Sequence, residues 1–320
     1  MKSKLDLMSQ LLRDMEMDIG TRDLANLVFE ALIQAIKSLK VNEASSFCKQ
    51  FSSLSELVCQ TEPKFGILNY HFVNLSHELE SDICGKNISI SSWKKKAISK
   101  VKLIVKNIGK QEKKLLEYAE TLDVEGKTIL IHDHSHTVQD VLSHFHRMKK
   151  HFRVIIVEQD FEKTHSNIEK LHSAQIPFQV VPAYMISHVI DNVDMLFFGA
   201  LTLKDTMDFV MSPGTHGVIT EFYAEKVPIY MFMNTTKFSL WKSKKRGGIF
   251  IHKHQREHHN KPIQYERIKY SHDRVHVDMF KRVITNEGAF TPTQIESLFN
   301  KKLVNYLKKA KATCKTCAAN

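Results

Sequence analysis

From Gly126 onward the chain repeats one pattern: a short, fully apolar run, then a longer segment with helical spacing. The runs are TILI at 128–131, VIIV at 154–157, FQVV at 178–181, MLFF at 195–198 and IYMFM at 229–233. The segments between them, 137–150, 164–173, 184–191 and 215–226, read as helices. A strand without polar alternation is buried on both faces, and only helices packed on each side supply that cover. Pro177 and Pro228 each stand just before a run, where a missing N–H costs little. This half of the chain is therefore predicted to be α/β, a doubly wound and mostly parallel sheet.

The preceding residues carry a different period. Leu24, Leu27, Val28, Ala31, Leu32, Ala35, Ile36 and Leu39 form the i, i+3, i+4, i+7 stripe of an amphipathic helix. Similar patterns over 43–60, 65–80 and 91–120 predict a helical N-terminal domain, 1–122, followed by an α/β domain, 123–320. In such sheets ligands sit beyond the carboxyl ends of the strands. The chemistry is therefore sought at 132–136, 158–165, 182–185, 199–215 and 234–238.

The formal charge of +11 invites a nucleic-acid reading, but it is localised. A basic insertion, 242–261, carries +6 and the basic tail, 300–320, another +6, leaving about −1 for the rest. A near-neutral body argues against nucleic acid covering the whole surface. In 242–261 the aromatic residues that stack bases are almost absent, Phe250 being alone, so a solvated or partner-ordered loop is the stronger expectation. No apolar run reaches the length of a membrane helix, and the N-terminus lacks a secretion signal's apolar core. Five cysteines are too few and too odd in number for a disulfide scaffold, so a cytoplasmic protein with free thiols is expected. The lone Cys314-Lys-Thr-Cys317 lacks a second ligand pair.

Three strand-end segments carry candidate chemistry. His132-Asp133-His134-Ser135-His136 follows the first strand; alternating histidines share one face of an extended segment and could hold a metal with Asp133 in support, ligands from elsewhere being needed. His132, His134 and His136 are thus the metal candidates, and Glu158 or Asp160 the supplementary carboxylates. Ser212-Pro213-Gly214-Thr215 precedes a helix, whose first N–H groups suit an anion, although Thr215 is equally a plain N-cap. The third is the His-rich insertion, with His252, His254, His258 and His259. Neither a GxxxxGK[ST] nor a strand-linked GxGxxG motif occurs, so no nucleotide cofactor is expected from a motif.

Taken together, TILIHDHS at 128–135, FRVIIVEQ at 152–159, IPFQVVP at 176–182, VDMLFFGA at 193–200, PGT at 213–215, VPIYMFMNTTKF at 227–238 and TNEGAFTPTQI at 285–295 resemble a known superfamily. It holds the alpha, beta and delta regulatory subunits of translation initiation factor 2B and two isomerases, of ribose-1,5-bisphosphate and methylthioribose-1-phosphate. The resemblance implies a Rossmann-like sheet similar to those of ribose-phosphate isomerase and the CoA-transferases. It also implies pairing through the α/β domain, as a homodimer or heteromer, with protein partners that include translation machinery.

The departures from the family bear on activity. Where the isomerases carry a cysteine and an aspartate for proton transfer, this chain aligns Asp133 and Leu201. Their Asn-Gly and Asn-Lys pairs read Thr206-Met207 and Met211-Ser212, an acidic residue after the third strand is Ala183, and the Arg-Gly-rich phosphate segment is reduced to Gly20-Thr21-Arg22. Ser135, Glu158, Gly199, Gly214, Thr215 and Lys237 persist. A positioned acid or base contributes ~10²–10⁴ in rate, so losing both removes useful turnover. The leading expectation is a non-catalytic scaffold with a vestigial sugar-phosphate or nucleotide pocket, built on Ser135, Gly199, Gly214, Thr215 and Lys237. The first alternative is an enzyme of altered chemistry, with Asp133 as base, Glu158 its partner and Lys237 gripping phosphate, or the His/Asp metal site. The second is an RNA- or ribosome-associated protein using the basic segments.

Overall fold

The computed structural model describes residues 4–40, 44–61, 65–82, 89–241, 249–258, 261–270 and 272–313. Four helices come first: α1 (Lys4–Ser38), α2 (Ala44–Gln60), α3 (Gly66–Asp82) and α4 (Ile90–Ala119). Their apolar stripes meet in one cluster that includes Phe29, Phe51, Phe72 and Trp93. Helix α1 runs past the stripe read from the sequence and is broken at Gly20, whose φ of 77° and ψ of 164° leave the helical region. The left-handed φ suits glycine, and the absent side chain matters as well: a Cβ there would lie 2.6 Å from Nδ1 of His136.

The α/β half follows the predicted alternation. It runs β1 (Lys127–Ile131), α5 (His136–Arg147), β2 (Phe152–Val157), α6 (Phe161–Ser173), β3 (Phe178–Val181), β4 (Met195–Gly199), β5 (Thr202–Leu203), β6 (Asp208–Met211), α7 (Thr215–Ala224) and β7 (Ile229–Phe232). Then come β8 (Ile249–His258), β9 (Lys261–Tyr270), β10 (Asp273–His276), β11 (Arg282–Thr285), β12 (Gly288–Phe290) and α8 (Pro292–Thr313). Seven strands form the main sheet in the order β12-β11-β7-β4-β1-β2-β3, parallel except for β12. A small antiparallel sheet orders β10-β6-β5, and β8 pairs only with β9.

The alternation of side chains divides the core as the unbroken apolar runs require. Ile129, Ile131, Val154, Ile156 and Phe197 pack on α5 residues Val138, Val141 and Phe145. Leu130, Ile155, Leu196 and Phe198 face the other way, onto Ile219 and Phe222 of α7 and Phe299 of α8. Each such burial is worth about 1.5–3 kcal/mol, so a polar residue in any of these runs would cost the fold heavily.

Two expectations are corrected. The helix predicted at 184–191 is a pair of 3-10 turns, Ala183–His188 and Ile190–Asn192, with no buried side chain. Helices of this length draw their stability from packing an apolar face, and here Ile186, Val189 and Ile190 are only partly buried against the core. The loop predicted at 242–261 is also overturned where it is described, because 249–258 is a strand paired over ten positions with 261–270. Residues 242–248 and 259–260, and the Cys314–Cys317 pair, lie outside the described residues.

Candidate functional site

The carboxyl ends of β1, β2, β4 and β7 open into a cleft of about 610 Å³, closed from above by α1 and α4. Asp133, His134, Ser135 and His136 enter it after β1, Lys163 from α6, Gly199 and Leu201 after β4, and Lys237 after β7. Glu16 and Gly20–Asp23 of α1, Glu112 of α4 and Asp140 of α5 complete the wall.

The backbone explains why these residues converge. Asp133 has a φ of 71°, a left-handed conformation that aspartate tolerates better than most residues. Its Oδ1 accepts from the His134 N–H at 2.8 Å, and its carbonyl accepts from Asn167 at 3.1 Å, so the turn is fixed from both sides. Ser135 is the N-cap of α5. Gly199 is what lets Ser135 sit there, since a Cβ at 199 would fall 2.0 Å from the Ser135 Oγ. The turn bearing Lys237 is held by Asn286, whose Oδ1 accepts from the Thr235 N–H at 2.9 Å, and by the close approach of Gly66 to the Lys237 backbone.

Every cation of the cleft is already engaged. Arg22 donates to Asp140 at 2.7 Å, to Asp23 at 3.0 Å and, closer still, to Glu112. Lys163 lies 3.4 Å from Asp133, 3.8 Å from Asp160 and 2.9 Å from the Ser212 hydroxyl. Lys237 is half-buried and donates to the Ala200 carbonyl at 3.3 Å, with Glu16 in its field. Burial pushes the Lys237 ammonium below the usual lysine range and the Glu16 carboxyl above the usual carboxylate range. Glu112 is pushed up to about 7, first by burial, against the pull of Arg22 and with Asp140 adding to the rise. The lining holds seven carboxylates (Glu16, Asp23, Glu112, Asp133, Asp140, Asp160, Glu162) against three cations, so it is an acidic cleft.

The sequence candidates separate accordingly. Asp133, Ser135, Gly199, Lys237, His134 and His136 share the cleft. Glu158 does not: it is exposed and outside the lining. Gly214 and Thr215 also stand outside it. Gly214 adopts the left-handed conformation at the start of α7, and buried Thr215 bonds the His132 imidazole at 3.1 Å. The N–H groups of Thr215 and His216 are taken by Ser212 and by the Asp273 carboxylate, which fills the anion position at this helix end. His132 thus points away from His134 and His136, which meet edge to face at 4.5 Å. Among the described residues no group of three or more metal-ligating side chains converges. Burial lowers the pKa of all three histidines, which keeps them neutral near pH 7. Glu16, Glu112, Asp140 and Lys163 were missed in the sequence, because only the fold joins their four elements.

Comparisons with known proteins agree with this architecture. The model of a family described as "Initiation factor 2 subunit family" matches residues 19–292. The alpha subunit of translation initiation factor eIF2B from Dictyostelium discoideum is 28% identical over 127 residues, covering 39% of this chain and 40% of the relative, so the alignment spans about two fifths of that protein. The solved structure of Pyrococcus horikoshii translation initiation factor eIF-2B superposes with a TM-score of 0.67 at 18% identity, covering 91% of this chain and 98% of that one. The tetrameric beta2-delta2 complex of eIF2B from C. thermophilum gives 0.67 at 16%, covering 93% of each chain. The 5-methylthioribose 1-phosphate isomerase of Pyrococcus horikoshii gives 0.65 at 14%, covering 95% and 88%. At these identities the superpositions carry the fold, and the fold is common to the initiation factor and the isomerase.

Proposed function

The chain belongs to the initiation factor 2 subunit family, and on that premise we propose that it is a non-catalytic member acting through protein–protein contacts. The observation that carries this reading is the pair of side chains at the positions where the resembling isomerases keep their proton-transfer groups. One is Leu201, which has no proton to give or take and stands 44% exposed at the mouth of the cleft. The other is Asp133, which is committed to the His134 N–H and to Lys163.

The charge of the cleft supports the same reading. A sugar bisphosphate brings up to four negative charges, and the cleft sets seven carboxylates against three cations, each of them already engaged. Like charges in a partly desolvated site cost several kcal/mol, so a bisphosphate is a poor ligand. A singly phosphorylated compound, held by Lys237 beside Ser135 and Gly199, is the ligand class this cleft still suits.

Partner binding is supported by apolar surface at the sheet edge. β3 is one of the two edge strands of the main sheet, and Phe161 and Tyr184, just beyond the ends of β2 and β3, are 81% and 86% exposed. Aromatic rings left in water near the open edge of a sheet are what a protein interface covers. The partner in this reading is a second subunit of the same fold, the chain itself or another family member, in the cytoplasm. The test is the native mass of the tagged full-length chain in its own cell extract, with the co-purifying chain identified by mass spectrometry. A mass of at least twice 37.0 kDa with such a subunit supports the proposal. A lone 37.0 kDa species overturns it.

A further inference from the structure

Helix α4 carries a charge that the near-neutral sum of the body conceals. Its 30 residues hold nine lysines against two glutamates, Glu112 and Glu117. Its buried face is Trp93, Ala97, Val101, Ile108, Leu115 and Ala119. At about 100° per residue, Lys95, Lys102, Lys106, Lys110 and Lys113 fall within an arc of ~80° on the opposite side. All five are exposed, as are Lys96 and Lys114 on the flank of the stripe. From Lys95 to Lys113 the stripe runs about 27 Å.

Among the described residues nothing answers this charge. Lys94 bonds the carbonyls of Lys37 and Leu39, and Lys100 pairs with Glu78, but no described carboxylate forms an ion pair with any of the seven exposed lysines. Glu112 is turned to Arg22, and Glu117 stands exposed at the end of the stripe. Lys102 and Lys106, and Lys106 and Lys110, are like charges four positions apart, an arrangement that weakens a helix. Gly109 lies in the same stripe, and a Cβ there would meet nothing within 4 Å. Glycine in a helix interior weakens it too, and no described neighbour requires one here.

We propose that this face of α4 binds the phosphate backbone of double-stranded RNA. Unpartnered lysines neutralise phosphates and release their counterions, and the bare backbone at Gly109 lets a phosphate strand come close. Protein interfaces are depleted in lysine and enriched in aromatic rings and arginine, whereas this stripe is lysine with Leu103 as its exposed apolar side chain. A membrane-surface helix inserts its apolar face, and that of α4 is buried in the protein core. Single strands are held by stacking on rings, and Tyr118, the exposed ring of α4, lies about 140° round from Lys95. Helices that read DNA aim arginine, asparagine or glutamine at base edges, and the stripe has none; double-stranded RNA is bound through its shape and its phosphates. The face points away from the cleft, which α4 borders through Ile108, Glu112 and Leu115, so tests of the cleft do not bear on it.

The probe is a fluorescently labelled RNA duplex of about 24 base pairs, longer than the ~16 a double-strand binder spans. Its anisotropy is followed against the full-length protein. Five phosphate contacts predict a log–log salt slope near −4.5, about a 500-fold loss of affinity between ~50 and ~200 mM salt. Lys102→Gln, Lys106→Gln and Lys110→Gln together should bring the slope to about −2 and weaken binding by roughly 10-fold or more at ~50 mM salt. Glutamine has the helix propensity of lysine, so the fold should stand. Gly109→Leu should raise the melting temperature and weaken binding, a split that a merely structural glycine would not give. Should the triple variant misfold, acetylation footprinting of the unmodified protein still reads the site, and the duplex should protect Lys102, Lys106 and Lys110. Any of five results overturns the proposal. They are no binding at low salt, slope and affinity unchanged in the triple variant, and Gly109→Leu binding as tightly as its parent. The other two are the three lysines left unprotected, and tighter binding of single-stranded RNA, duplex DNA, polyglutamate or phosphatidylserine vesicles than of the RNA duplex.

Discussion

Nη1 of Arg22 lies 2.7 Å from Oδ2 of Asp140, and through that contact α1 is tied to the helix that follows the first strand. The two residues are 118 positions apart. Glu112 of α4 accepts from the same guanidinium, so one cation joins three helices above the cleft. Replacing Arg22 with alanine leaves Glu112, Asp23 and Asp140 together without their counter-charge. The group is only partly buried, so the loss should be about 1–2 kcal/mol rather than the larger cost of a fully buried pair. For a chain of this size that is a fall of about 2–8 °C in melting temperature, and Asp140→Asn should relieve part of it.

A half-buried carboxylate and a buried histidine give stability opposite dependences on pH. Glu112 is raised to about 7 in the folded protein, so between about 4.5 and 7 the folded state holds the extra proton. Its contribution is full at the acid end and is lost as pH rises through that window. His71, buried beside Phe29 and Tyr70, is lowered to about 4 by desolvation. Its contribution is full above about 6.5 and is lost as pH falls towards 4. Thermal melts across pH 4–8 should show Glu112→Gln raising stability near neutrality with little effect at pH 4.5. His71→Leu should flatten the acid limb alone.

Gly199 and Ser135 form a lock at the floor of the cleft. Gly199→Ala sets a methyl 2.8 Å from the Ser135 Cβ as well as 2.0 Å from its Oγ, and no rotation of the hydroxyl relieves the first contact. Overpacking of this kind costs about 1–3 kcal/mol. Adding Ser135→Gly should restore most of it, because glycine at an N-cap costs only a few tenths of a kcal/mol. Equal melting temperatures for the single and double variants would show that the clash is not what makes 199 a glycine.

The main sheet was legible because its signal is local. Runs such as 154–157 and 229–233 are apolar at every position, and only a doubly covered strand has that need. The signal fails where burial is slight or pairing is distant. β5 has two residues, and the 184–191 segment buries its apolar residues Ile186, Val189 and Ile190 only in part. β8 reads as a charged loop until the register of its partner strand over ten positions is known. In the cleft, Asp133, Ser135, Gly199 and Lys237 stood at strand ends, where ligand sites are sought. Glu16, Glu112, Asp140 and Lys163 sit on helices amid other polar residues, and nothing in their spacing marks them. Glu158 shows the converse, a strand-end carboxylate that the turn of the chain carries out of the cleft.

The central claim is that the scaffold has kept its architecture and lost the isomerase reaction, with Leu201 and Asp133 standing where proton transfer would occur. The most direct measurement is turnover of methylthioribose-1-phosphate and ribose-1,5-bisphosphate by the purified full-length protein and its Asp133→Ala variant. The prediction is no product above the uncatalysed rate for either protein on either substrate. Turnover by the unmodified protein that disappears in Asp133→Ala would contradict it.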